Sequence, residues 1–223
     1  GEMGRIASEL SRKRSRAAEK LTADVDGELR DLNMAQVRFQ VSITRQKSGE
    51  GIPLPDGNNY AYSQSGVDRV EFIAATNPGE PPKPLAKIAS TGEISRFALA
   101  LKSALAGNDD IPVLIFDEID IGVGGRSGEV IGRKLWKLSR EHQVICVTHL
   151  PQIAAYADSH YSVHKEVSST RTTSRMATIS EEARIEELAA MLSGAHYSET
   201  ALVNAREMIH KASQWKRSSS SRE

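Results

Sequence analysis

"PVLIFDEIDIGVGGRSGEV", residues 112–130, sets four apolar residues ahead of an Asp–Glu pair, a third acid and a glycine-rich turn. A short, wholly apolar run before turn formers has the composition of a strand covered on both faces, as in a parallel sheet. Asp117 and Glu118 then fall at its carboxyl end, the edge at which open α/β sheets bind ligands. Buried carboxylates cost several kcal/mol unless something compensates them, so the pair calls for a cation or a chemical role. One carboxylate there can hold Mg²⁺, directly or through water. Its neighbour can orient and deprotonate an attacking water, a contribution of about 10²–10⁴-fold in rate. The plain alternative is an N-cap or surface pair at a strand end.

Strands and helices alternate around this stretch. "STGEISRFALALKSALAG" (90–107) predicts a helix with Ile94, Phe97, Leu101 and Leu105 inward and Gly107 as its stop. A helix over about 126–141 follows, then strand "VICVTH", short helix "PQIAAYA", strand "HYSVHKEV" and, in a hairpin with it, "RTTSRMATI". Helices over about 181–192 and 198–212 close the pattern, with Gly194 between them. Such alternation implies a mostly parallel sheet flanked by helices, joined by right-handed crossovers. The expected class is α/β.

The first third reads differently. Residues 3–33 carry Ile6, Leu10, Leu21, Val25, Leu29 and Leu32 at helical spacing, as in the end of a coiled coil, with Arg12, Lys13, Arg14, Arg16 and Lys20 forming a solvated or DNA-facing side. "VRFQVSITRQ" (37–46) alternates as a half-buried antiparallel strand. Residues 47–66 have the composition of a long loop, "VDRVEFIAATN" resumes strand, and the proline-rich 78–85 excludes regular structure. The expected organisation is a coiled-coil end at 1–34, one lobe at 35–214 and a disordered tail at 215–223.

Composition narrows the classes. The chain is 39% hydrophobic and 26% charged, an ordinary globular balance. Net charge is zero, so a nucleic acid would have to meet a local patch rather than a global basic field. The one cysteine, Cys146 in "VICV", excludes a disulfide framework and reads as a small buried hydrophobe. No apolar stretch has the length of a membrane span, and the first residues lack the apolar core of a signal peptide. A cytoplasmic, nucleoid-associated location is the expectation. The first residues already read as helix, as if more chain preceded them.

Two further features accompany the acid pair. Ser90 and Glu93 fit a capping box, and the same helix start, with small Thr91 and Gly92, can offer amides and a hydroxyl to a phosphate. His149 lies just past a buried strand, 31 residues after Glu118, where an imidazole could meet a phosphate or a water. The remaining histidines, His142, His160, His164, His196 and His210, show no metal-ligand spacing and read as structural or surface groups.

"ASTGE", "VLIFDEID" and "VTHLPQIAAYAD" together resemble the signature motif, Walker B strand and His switch of SMC-class, ABC-type ATPases. "FIAATNPGEPPKPLAKIASTGEISRFALALKSAL" and "FDEIDIGVGGRSGEVIG" extend the resemblance, strongly over 68–165, to the RecN family of bacterial DNA double-strand-break repair proteins. The resemblance implies the C-terminal lobe of an ABC/SMC-type ATPase head with a coiled-coil remnant. It implies Asp117 as the Mg²⁺ ligand, Glu118 as the general base and His149 as the switch. Asp120 would lie in the loop that crosses a head dimer, and Ser90, Thr91, Gly92 and Glu93 would engage ATP held by the opposite head. Thr91 stands where the family usually has a glycine.

No G-x-x-x-x-G-K-[ST] occurs in the 223 residues. In RecN-like proteins the P-loop belongs to an N-terminal lobe across a coiled-coil hairpin. The implied partners are that lobe, DNA (break ends or single strands), a second head across sandwiched ATP, and a recombinase; no membrane is implied. Two rivals come from other classes. One is a non-catalytic dimerisation or DNA-clamp lobe. The other is a metal-dependent nuclease using Asp117, Glu118, Asp120 and His149 as ligands.

Overall fold

The computed structural model describes residues 1–88, 90–167 and 172–221. They form two compact units, Gly1–Asp109 and Asp110–Glu223, where the sequence grouped 35–214 as one lobe. Each unit has its own core.

The first unit is organised on α1 (Glu2–Asp31). Its C-terminal half buries Val25 and Leu29 completely or nearly so. β1 (Arg38–Thr44) pairs antiparallel along its whole length with β4 (Arg69–Ala75). Phe39, buried on β1, meets Phe72 edge-on and Phe97 of α2 (Thr91–Ala104), both at 5.5 Å between ring centroids. The other half of α1 is pinned by Asp68, whose side chain has no solvent exposure. It accepts from Ser11 Oγ (2.7 Å), Arg14 Nη1 (3.2 Å) and Arg45 Nε (3.0 Å). Burial pushes the Asp68 carboxyl up, but these three donors outweigh it and hold it below the usual carboxylate range.

Two stretches read as irregular carry strands. Within 47–66, β2 (Lys47–Pro53) and β3 (Asn59–Tyr60) form a hairpin. In the proline-rich segment, β5 (Lys83–Pro84) pairs with Ile73 and Ala74 at the sheet edge, followed by a 3₁₀ turn over Leu85–Lys87. A proline at an edge loses no ladder bond. In α2, Phe97, Leu99 and Ala100 are buried, whereas Ile94, expected inward, is 40% exposed.

The second unit mixes strands and helices as an α/β fold. β6 (Val113–Phe116) and β7 (Gln143–Cys146) pair in parallel, joined through α3 (Gly125–Leu138). Parallel pairing is narrower than the alternation suggested: among the described strands, β6–β7 is the parallel pair and the other pairings are antiparallel. β6 also differs from a strand covered on both faces. Leu114 and Phe116 are buried, while Val113 and Ile115 are 40% and 69% exposed and Ile145 and Val147 on or beside β7 are 44% and 58% exposed.

After α4 (Pro151–Ala154) come the hairpin β8 (Tyr161–Val167) and β9 (Thr172–Thr178), α5 (Glu181–Ser193) and α6 (Glu199–Ser220). The core under α4–α6 is alanine-rich, with Ala155, Ala189 and Ala205 around Leu188 and Tyr156. Small residues let the helices approach closely. Arg184 on α5 is 7% exposed, and its Nη2 donates to the carbonyls of Ala154 (3.1 Å), Ala155 (2.9 Å) and Ala157 (2.9 Å), capping the end of α4. The tail is not disordered from 215. Helix α6 runs to Ser220 because Trp215 packs edge-on against Trp136 and Tyr156, at 5.6 and 5.7 Å. Residues 222 and 223 lie outside the described residues.

Candidate functional site

β6 and β7 end side by side, with Phe116 opposite Cys146 and Val147 N–H donating to Phe116 C=O (2.9 Å). The candidate residues of this unit lie just beyond those ends. Asp117 and Glu118 are exposed, whereas the next two residues turn inward, Ile119 at 0% and Asp120 at 3% exposure. Two tight turns produce this reversal, with Ile121 N–H bonded to Glu118 C=O (3.3 Å) and Val123 N–H to Asp120 C=O (3.1 Å).

Glu118 has φ +56°. A left-handed conformation costs a non-glycine residue about 1–2 kcal/mol, and it persists where surrounding structure over-determines it. Here Ile119 and Asp120 are the buried anchors that impose it. The strain falls on the residue that the resemblance implies as general base.

Asp120 ties the two strand ends together. Its Oδ2 accepts from the backbone N–H of His149 (2.8 Å) and Leu150 (3.3 Å) and from the Thr148 hydroxyl. Thr148 Oγ1 in turn accepts from Leu150 N–H (3.0 Å). The His149 ring is 69% exposed, with Nδ1 3.1 Å from the same carboxylate oxygen. Asp120 was expected in the loop that crosses a head dimer; its carboxylate faces inward, because three donors of 148–150 converge on it. The outward residue of the loop is Ile121, 45% exposed.

The charges of the two aspartates register at Cys146. Burial first, then the negative charges of Asp120 and Asp117, push its thiol up to about 12. The thiol is half-buried and inert rather than nucleophilic.

Glycines on α3 set where the His149 loop lies. A Cβ on Gly132 would come within 2.7 Å of the Tyr156 ring and 3.1 Å of the Gln152 carbonyl, and one on Gly128 within 3.2 Å of Leu150 and Gln152. Only glycine allows α4 and the residues beside His149 to approach α3 so closely.

Ser90, Thr91, Gly92 and Glu93 belong to the first unit. Ser90 caps α2, its Oγ accepting from Glu93 N–H (3.4 Å). Thr91 is exposed and Gly92 buried. The capping half of the motif is therefore formed.

Among the described residues no group of three or more His, Cys, Asp or Glu side chains is placed to hold a metal. The four-ligand nuclease centre does not form, since Asp120 is committed to the 148–150 segment. Mg²⁺ needs less: one or two protein carboxylates suffice, with waters and phosphates completing its shell. Exposed Asp117 and Glu118, both hard oxygen donors on one turn, fit that requirement.

No family model matches the chain. A DNA repair protein RecN from Streptomyces coelicolor is 42% identical over 211 residues, covering 95% of this chain and 37% of its own length. One from Bacillus subtilis is 37% identical over 212 residues, 94% of this chain and 37% of that protein. Along this stretch the chain is similar to RecN proteins. It spans little more than a third of the length of those RecN relatives. Solved structures with which it aligns include an Smc head domain with coiled coil and joint from Pyrococcus yayanosii (20% identity, TM-score 0.48, 78% of this chain and 29% of that one). Another is an SMC head domain from Thermotoga maritima (18%, TM-score 0.37, 78% and 52%). No helix of the described residues is long and apolar enough to cross a membrane.

Beside the RecN motifs, sequence reasoning missed Thr148 and Arg184 and the role of the α3 glycines. Thr148 carried a signal in standing next to His149. Gly125, Gly128 and Gly132 recur three and four apart, on one helix face.

Proposed function

We propose that the chain is the lobe of a RecN-type, SMC-like ATPase that supplies the hydrolytic groups of a composite nucleotide site, in the service of DNA double-strand-break repair and recombination. The observation that carries this reading is the paired strand ends: exposed Asp117 and strained, exposed Glu118 beside His149, with Asp120 locking the two segments together. In it Asp117 holds Mg²⁺, which neutralises phosphate charge when bound. Glu118 takes a proton from the attacking water at its carboxylate. His149, held by its backbone N–H on Asp120, directs its exposed ring at the water or the terminal phosphate. Ser90–Glu93 present the start of α2 to ATP on an opposing head.

The P-loop comes from a RecN N-terminal lobe. The open apolar face of β6–β7, with Ile115 at 69% exposure, supports a further piece of polypeptide there. ATP-sandwiched heads, DNA and a recombinase are the partners of this reading, and the cytoplasm its place. The chain alone then hydrolyses ATP negligibly, and adding the P-loop-bearing lobe restores turnover. Substantial turnover by the 223 residues alone removes the composite site. A purely clamping lobe predicts no turnover in either case.

A further inference from the structure

A second surface of the Asp110–Glu223 unit has no part in the nucleotide site. It lies where the C-terminal halves of α3 and α6 meet. The chain's two tryptophans, Trp136 and Trp215, stand there together. Four cations lie over their rings: Arg133 (5.2 Å) and Lys137 (5.9 Å) over Trp215, Arg140 (5.5 Å) and Lys216 (5.7 Å) over Trp136. Arg133 is also paired with Glu129, and Lys216 with Asp158. Lys137, Arg140 and Arg217 are exposed and have no carboxylate partner among the described residues.

The charge is local and uneven. The whole chain is neutral, but residues 125–141 hold five Lys/Arg against two Glu, and residues 208–221 hold three Lys/Arg and no acid. Arg133 and Lys137 stand four residues apart on one face of α3, and Arg140 follows in the turn that ends it. Side chains stacked on indoles are already ordered, so less entropy is lost when they meet a ligand. A row of ordered cations suits a linear polyanion. The rings are covered by the cations and by each other, which leaves them poorly placed to stack on bases.

We propose that this face binds the phosphodiester backbone of a nucleic acid, with Lys137, Arg140 and Arg217 contacting phosphates. The proposal rests on charge and geometry and is independent of the ATPase reading, so its test needs no nucleotide.

Because both tryptophans lie in the patch, their emission reports on it directly. The 223-residue chain is titrated with end-labelled duplex DNA, with a single strand of the same sequence, and with phosphatidylserine vesicles, following tryptophan emission and label anisotropy at several salt concentrations. The expected result is a change in emission that coincides with binding of one or both DNAs and weakens steeply with salt. Replacing Lys137→Ala with Arg140→Ala lowers the log-affinity against log-salt slope by about 2, and Arg217→Ala alone by about 1. Circular dichroism and the thermal midpoint stay as in the parent. The control Arg16→Ala with Lys20→Ala, on exposed α1, leaves the slope alone. DNA binding without an emission change, an unaltered slope in the α3 variant, a slope lost in the α1 variant instead, binding of vesicles but neither DNA, or no DNA binding at low salt each overturns the proposal.

Discussion

Replacing Asp120 by alanine attacks the joint between the ends of β6 and β7. In the parent, one buried oxygen receives the His149 amide at 2.8 Å, the Leu150 amide at 3.3 Å and the Thr148 hydroxyl. Hydrogen bonds to a charged acceptor contribute about 1.5–3 kcal/mol each. Leu150 N–H keeps a partner in Thr148 Oγ1 (3.0 Å), and the hydroxyl can rotate, so the His149 amide is the group left orphaned. All three bonds are lost although only one donor is left without a partner, and relief from burying a carboxylate returns part of that. The net loss is about 2–4 kcal/mol. Asp120→Asn retains the shape and one neutral acceptor, and so loses about 1–2 kcal/mol. Urea unfolding followed by circular dichroism measures both, with the ordering Asp > Asn > Ala and an unchanged m-value. An alanine variant within 0.5 kcal/mol of the parent would show that Asp120 does not hold the His149 segment, and the positioning argument would fall with it.

Arg184→Met removes the donor shared by three carbonyls at the end of α4 and should destabilise by about 3–5 kcal/mol in the same denaturation assay; a loss below 1 kcal/mol contradicts the capping role. Gly132→Ala drives a methyl to within 2.7 Å of the Tyr156 ring. Overpacking of about 1–3 kcal/mol should exceed the gain in helix propensity of up to about 1 kcal/mol, so its melting temperature falls; a rise refutes the close approach. Cys146 keeps its proton to about 12, against an ordinary 9.0. The unfolded chain therefore loses that proton first, and the thiol's contribution to stability, intact below about pH 9, fades between 9 and 12. Iodoacetamide labelling at pH 8 should be slower in the folded protein than in urea by about two to three orders of magnitude; equal rates would refute the buried, anion-flanked setting.

Local chemistry was legible where one element made its own case. The alternation of Phe39, Val41 and Ile43 announced a half-buried strand, and Ser90 announced the cap of α2, because both patterns depend only on near neighbours. The apolar run Val113–Phe116 announced a strand but not its one open face, since composition records what a residue prefers to touch and not what the fold places against it. The inward setting of the Asp120 carboxylate was hidden for a related reason. The donors that turn it inward lie 28 to 30 residues away, and no periodicity links an acid in one turn to amides in another. The α6 extension past 215 depended on a tryptophan finding two aromatic rings, Trp136 on α3 and Tyr156 just after α4, which a serine-rich tail sequence hides. Glu118 at φ +56° is visible only in coordinates.

The central claim is that Glu118 removes the proton from the water that attacks ATP. Glu118→Gln keeps the side chain's size and removes its basicity. With the P-loop-bearing lobe supplied, nucleotide affinity and single-turnover hydrolysis are measured for the parent and for this variant. The account predicts unchanged ATP binding and hydrolysis slower by about two to four orders of magnitude. Hydrolysis at the parent rate, with binding intact, contradicts it.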